Sequence, residues 1–205
     1  MTFTNASRPR VPRAARQGCV SNPAVLNFST LNVRTARQDN DIDLLIKELD
    51  NVNAGIVAIQ ETKRKDEKTV NWHTGHLVFI GSSNNRIGGV GFIIHPDLRQ
   101  FVEKCHIISH RLAVLKMNIN GTSLKCVNVY MPTSGYDDEY VEEMYENIEN
   151  ELTGASQLVI LGDFNARIGQ HEPGERYVGS HGLRNRNDRG PVSYTHLTLP
   201  TILLV

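Results

Sequence analysis

An α/β fold, with mixed sheets carrying helices on their outer faces, is predicted by three features of the sequence. Short apolar runs of strand length recur, 55–59 and 157–161 being the clearest. Two stretches, 39–51 and 137–152, carry their apolar residues at helical spacing instead. Paired strand-like runs alternate with these isolated helices, the order that stacks helices on sheets. At 205 residues the chain has room for one domain with a proper core, with or without tails.

Residues 1–24 contain Arg, Pro and Ser without periodicity and are expected to form an unfolded arm. Arg8, Arg10, Arg13, Arg16, Arg34 and Arg37 all precede the first acid, Asp39. A solvated tail, a nucleic-acid or nuclear-targeting arm and an acid-free mitochondrial presequence all fit that pattern. Val25–Asn32 reads as a short strand ending in Asn32. In 39–51, Ile42, Leu45, Ile46 and Leu49 form one stripe behind Asp39, Asn40 or Asp41 as cap, which predicts an amphipathic helix. Gly55–Ile59 is a buried strand that hands over to Gln60, Glu61 and Thr62.

His76–Ile80 and Val90–Ile94 read as antiparallel strands joined through Arg86-Ile-Gly-Gly89. Those glycines lack the Gly-Lys-Ser/Thr ending of a phosphate-binding loop and precede no helix, so they are expected to serve as backbone turns. Asn120-Gly121 predicts a hairpin between 106–119 and 124–131. Asp137–Leu152 places Tyr140, Val141, Met144, Ile148 and Leu152 on one stripe opposite its acids, a second helix. The apolar run Gln157–Leu161 then delivers Gly162-Asp-Phe-Asn165, where period two would send Asp163 and Asn165 to the same side.

Formal charge is zero, from 22 basic and 22 acidic residues, so any polyanion binding must be local. Cys19, Cys105 and Cys126 have neither metal-ligand nor Cys-x-x-Cys spacing and read as a reduced, intracellular set. No apolar run approaches a membrane span and no hydrophobic signal segment opens the sequence. The histidines at 73, 76, 95, 106, 110, 171 and 181 show no ligand spacing and are expected on the surface or in strands.

The chemistry is concentrated where strands stop. Asn32, Glu61, Tyr130, and Asp163 with Asn165, each stand just after an apolar strand, the end at which α/β folds collect ligands. An Asp and an Asn there can hold a water, a metal or a phosphate oxygen. The same two residues are also ordinary turn formers.

In their contexts, Leu-Asn32-Val, Ile-Gln-Glu61-Thr, Asn-Val-Tyr130-Met-Pro and Leu-Gly-Asp163-Phe-Asn-Ala, these groups resemble the endonuclease/exonuclease/phosphatase superfamily, from about Phe28 to Gly190. Gly89-Val-Gly-Phe92, Gly162-Asp-Phe-Asn-Ala-Arg-Ile-Gly169, His181-Gly-Leu and Arg186-Asn-Asp-Arg-Gly190 are similar to the endonuclease domain of non-long-terminal-repeat retrotransposons and the craniofacial development protein group. The resemblance implies a four-layer α/β sandwich of two mixed sheets flanked by helices. It also implies a magnesium-dependent phosphodiesterase acting on DNA, manganese being the substitute metal, inside the cell and with the nucleus among its destinations. Glu61 and Asn32 would be the metal ligands. Tyr130 would donate to the phosphate, Asp163 would hold the attacking water, and Asn165 would bind the charge developing on phosphorus. Asn187 would line the same pocket, although an Asn in a charged loop fits that position equally well.

Two departures stand against the pattern. Arg34 occupies a position where apurinic endonucleases carry an acid. After Gly190 the Ser-Asp-His segment of the family is missing, and Pro191–Val205 resembles translated adapter sequence, so His196 is not expected to be a base. The expected organisation is therefore a basic arm at 1–24, a C-terminally truncated domain at 25–190 lacking its last strands, and an unrelated tail at 191–205. An inactive fragment, or a phosphatase of inositol phosphates or phospholipid head groups on the same fold, is the alternative.

Overall fold

The computed structural model describes residues 25–171, 185–187 and 190, together with the backbone of 202–204. The arm at 1–24, Cys19, His181 and all but the last strand of the tail lie outside the described residues. In chain order the elements are β1 (Phe28–Asn32), α1 (Asp39–Asn51), β2 (Ile56–Gln60), β3 (Lys68–Asn71), β4 (Leu77–Ile80), β5 (Gly91–Ile94) and a 3₁₀ turn (Pro96–Phe101). There follow β6 (Val102–Ser109), β7 (Leu112–Ile119), β8 (Thr122–Tyr130), α2 (Asp138–Glu149), β9 (Gln157–Asp163) and β10 (Ile202–Leu204).

The strands make two five-stranded mixed sheets, ordered β1-β2-β5-β4-β3 and β10-β9-β8-β7-β6. The period-two alternation of β2 and β8 explains the layering. Ile56 and Ala58 face the other sheet, while Val57 and Ile59 pack under Ile42, Ile46 and Leu49 of α1. On β8, Leu124, Cys126 and Tyr130 point to the middle layer, and Val127 and Val129 point outward to Met144, Tyr145 and Ile148 of α2. The molecule is thus helix, sheet, sheet, helix.

The two helices occupy the predicted stretches, with local differences. The residue capping α1 is Gln38 rather than Asp39, Asn40 or Asp41. Asp41 acts from the third position, its carboxylate accepting the Gln38 N–H at 2.9 Å. The buried Lys125 ammonium of β8 donates to the carbonyls of Glu151 (2.8 Å) and Thr153 just beyond α2. The run 106–119 is two strands, because the chain turns at His110-Arg111 and pairs β6 with β7 antiparallel. Apolar patterning continues through that turn, since both strands lie in one sheet. The short β3 and the 3₁₀ turn carry no strong periodicity and were not anticipated. Ile202–Leu204 pairs parallel with Val159–Leu161 at the sheet edge.

Cys105 and Cys126 are free, and burial pushes both thiols up to about 12. Among the described residues no helix is long and apolar enough to cross a membrane.

Candidate active site

Each sheet contains a parallel pair that ends at the site. In the first, Asn32 of β1 is register partner to Gln60 of β2; in the second, Tyr130 of β8 is partner to Asp163 of β9. Parallel strands expose their carboxyl ends on one edge, so two register pairs deliver four strand ends together. The hydrogen bonds close the group. The Asn32 amide nitrogen donates to Glu61 Oε1 at 2.7 Å and to Asp163 Oδ2 at 2.8 Å, joining residues 131 positions apart. The Tyr130 hydroxyl donates to the same Glu61 oxygen at 3.0 Å, and Lys63 Nζ lies 3.0 Å from Glu61 Oε2.

Glu61 sits in the left-handed region at φ 57°, as do Arg34, Lys63 and Asn165. Such backbone costs of order 1 kcal/mol per residue and persists only where its surroundings impose it. Here the glycine connection imposes it: Thr62 N–H donates to the Gly89 carbonyl and Lys63 N–H to that of Gly88, both at 3.0 Å. Gly89 has φ 87°, and an added Cβ would collide with Thr62 Oγ1. The glycines thus hold the Glu61 turn through the backbone.

Burial opposes ionisation of Glu61, but hydrogen bonds from Asn32, Lys63 and Tyr130 outweigh it and hold the carboxyl below its ordinary range. Burial, followed by the hydrogen bond to Glu61, pushes the Tyr130 phenol up to about 12, so it keeps its proton and remains a donor. The Arg34 backbone N–H donates to the Asn32 amide oxygen at 3.0 Å, which fixes that side chain although the Arg34 position carries no acid.

The structure alters the expected geometry of the Asp163 segment. The strand runs on to Asp163, and Asn165 leaves it at φ 47°, so the two do not follow one period-two face. Instead Asp163 Oδ1 accepts the Asn165 N–H at 3.0 Å, a side-chain turn, and the Asn165 amide donates to the Met131 carbonyl at 2.7 Å. Asn187 braces the same loop, its amide oxygen accepting Arg167 N–H (2.8 Å) and Gly190 N–H (3.0 Å).

Three supporting residues escaped the sequence reading. Asn128, fully buried, donates to the carbonyls of Ile59 (3.0 Å) and Gly91 (2.7 Å) and accepts from Gln60 at 2.7 Å. Gln60 also donates to Thr30 Oγ1 at 3.1 Å. This polar bridge crosses the middle layer directly beneath the site. Its signal was a polar residue two before Tyr130 in an otherwise apolar strand. Arg111, also buried, donates to the Tyr130 carbonyl at 3.2 Å, its guanidinium 4.9 Å from that ring and 5.0 Å from Tyr136. Its place at a strand turn gave no pattern to find.

Two carboxylates converging at the edge of a double sheet suit a hard cation with oxygen ligands. Lys63 Nζ and the Asn32 amide nitrogen already stand against the Glu61 and Asp163 oxygens, while the Asn32 oxygen accepts the Arg34 N–H, so Asn32 would ligate a cation only with its amide turned over.

The comparisons agree with this architecture. Craniofacial development protein 2 of Bos taurus is 27% identical over 167 residues, 80% of this chain and 28% of that protein. The protein of the same name from Tragulus javanicus is likewise 27% identical. The chain therefore spans less than a third of the length of these curated relatives. Among solved structures, an AP endonuclease from Archaeoglobus fulgidus superposes with a TM-score of 0.53 at 19% identity, over 85% of this chain and 70% of that one. The endonuclease domain of TRAS1, a telomere-specific non-LTR retrotransposon, gives 0.53 at 16%, over 82% and 69%. A 3' phosphatase from Neisseria, bound to product DNA hairpin, gives 0.52 at 18%, over 73% and 62%. These likenesses establish the fold. The profile described as Endonuclease/Exonuclease/phosphatase family matches residues 29–192, most of the chain, and to that family this chain belongs.

Proposed function

We propose that this chain is a DNA-cleaving phosphodiesterase domain that uses a divalent metal, magnesium or manganese, with Glu61 and Asn32 as ligands. The carrying observation is the Asn32 amide tied to both Glu61 and Asp163, with Tyr130 on the same Glu61 oxygen. Bound there, the metal would supply Lewis-acid polarisation of a phosphoryl oxygen. Asp163, held by Asn32 and by the Asn165 backbone, orients the attacking water. The Tyr130 phenol, still protonated at alkaline pH, donates to the phosphate. Asn165 and Asn187 frame the phosphate side of the pocket and hold its loops.

A DNA substrate is supported by a local concentration of cations on a chain with no net charge. A cleft of about 740 Å³ beside Glu61 is lined by Arg37, Lys63, Arg64, Lys65, Lys68 and Arg86, with only three acids among its lining residues. Phosphates along a backbone suit such a groove. The 3' phosphatase from Neisseria, bound to product DNA hairpin, is in line with the same choice.

The test is relaxation of supercoiled plasmid, with and without Mg²⁺, by a version of the chain restored to full family length with its Ser-Asp-His segment. Nicking is expected with the metal and is expected to fall by about 10² to 10³-fold in Glu61→Gln. Equal nicking by Glu61→Gln would refute the assignment. Turnover of a phosphoinositide without any plasmid nicking would transfer the activity to the head-group phosphatase reading.

A further inference from the structure

A second constellation lies at the opposite end of the first sheet. Because β5 runs antiparallel to β2, His95 follows β5 beside the start of β2, its N–H donating to the Gly55 carbonyl at 2.9 Å. Glu61 follows β2 at the far edge. The register pair Leu77↔Ile94 sets His76 next to His95, and the last turn of α1 brings Asp50 over both. One ligand atom from each of the three lies within 4.8 Å of the others.

The spacing is that of metal ligands. His76 Nε2 and Asp50 Oδ1 are 3.3 Å apart, long for a charge-assisted hydrogen bond. Ligand atoms around a tetrahedral zinc with bonds near 2.0–2.1 Å are separated by about 3.4 Å. The imidazoles meet edge to face with centroids 5.5 Å apart, so neither ring blocks the other's nitrogens. The Thr74 hydroxyl oxygen lies 2.9 Å from His76 Nδ1 and orients that ring from behind, as an oxygen on Nδ1 does when Nε2 ligates. His95 is held differently, its Nδ1 accepting the Asp97 N–H at 3.3 Å with the Asp97 carboxylate 3.6 Å away.

Electrostatics adds a separate reason. The last turn of α1 has no basic residue and carries Asp50 at the negative end of the helix dipole. A cation held by Asp50 offsets both charges. His76 is only 4% exposed, so packing fixes its ring in place beside Asp50.

We propose that Asp50, His76 and His95 form a zinc-class transition-metal site with an open fourth position, clamping the end of α1 to the β4–β5 edge away from Glu61. Two imidazoles and one carboxylate select Zn²⁺ and its neighbours over Mg²⁺, which favours oxygen donors. The site is independent of the activity proposed for Glu61.

The test is titration of the untagged, chelator-stripped 205-residue chain with Co²⁺, read by visible absorption, and with Zn²⁺, read by calorimetry and thermal melting. One equivalent of Co²⁺ should give the intense bands of a four-coordinate ion, and Zn²⁺ but not Mg²⁺ should raise the Tm through this site. His76 is buried, so the variants are the more accessible Asp50→Asn and His95→Gln, whose folding is checked by circular dichroism. Each should weaken Zn²⁺ binding by about 10- to 100-fold, and Glu61→Gln should leave the cobalt spectrum unchanged. The proposal is overturned by absence of stoichiometric Zn²⁺ or Co²⁺ binding. It is equally overturned if the four-coordinate cobalt bands persist in the Asp50→Asn, His95→Gln double variant or disappear in Glu61→Gln.

Discussion

Glu61 concentrates the electrostatics of the proposed catalytic site in one carboxylate. Its three donors hold the folded pKa below the unfolded value. Between those two values the unfolded chain binds more protons, so stability rises with pH there. The contribution is complete above the ordinary glutamate range and disappears as pH falls through the lowered folded value. Urea denaturation from pH 6 down to about 3 should show a shallower acid loss in Glu61→Gln than in the parent. Equal slopes would mean that the Asn32, Lys63 and Tyr130 bonds do not favour the ionised form. At this scale the sequence exposed the residues at strand ends, because a polar group after an apolar run breaks a pattern. It hid Gln60 and Asn128, whose partners come from the other sheet, and Arg111, whose partner Tyr130 is brought to it by the pairing of β7 with β8. It likewise hid His76 with His95, whose neighbourhood is created by strand pairing.

At the level of elements, β9 shows how closely the second sheet is built. Gly162 has φ 153°, and a Cβ there would drive into the Val129 carbonyl of β8. Because the obstacle is backbone, Gly162→Ala is expected to cost about 2 kcal/mol or more, in the range of overpacked sites. It should also displace Asp163, the next residue. Chemical denaturation together with plasmid nicking would check this; an alanine variant as stable as the parent would show that β8 and β9 can part locally. Helix stripes and apolar strands were legible because burial on one or both faces writes a period into the sequence. The turn at His110-Arg111 was not, since β6 and β7 present apolar faces to the same core.

For the whole molecule, a formal charge of zero means that polyanion affinity must come from the cleft beside Glu61 rather than from a global field. Arg64 and Lys68 are paired with Asp39 there and Lys63 with Glu61; of the remaining lining cations, Arg37, Lys65 and Arg86, the last two are the side chains to test. If both contact phosphates, the Lys65→Ala, Arg86→Ala double variant should weaken oligonucleotide binding uniformly across sequences. Its log-affinity against log-salt slope should be shallower by about 2. Fluorescence anisotropy at several salt concentrations measures both, and an unchanged slope would move the footprint elsewhere. Mixed sheets with outer helices were readable from alternating strand pairs and helices, and the four-layer order only through the family resemblance, whereas the meeting of the sheets was not, because it is specified by residues that satisfy one another only in three dimensions.

The Asn128 amide has one consequence for anyone recombining this scaffold. It stands on the second sheet and takes all three partners, Gln60, Ile59 and Gly91, from the first, so sliding either half past the other strands several polar groups in a dry interior. Chimeras that exchange one half with a homologue should therefore keep Gln60 and Asn128 as a matched set. Parents differing there would yield a well-formed lower half and a well-formed upper half whose reactive edges no longer face each other.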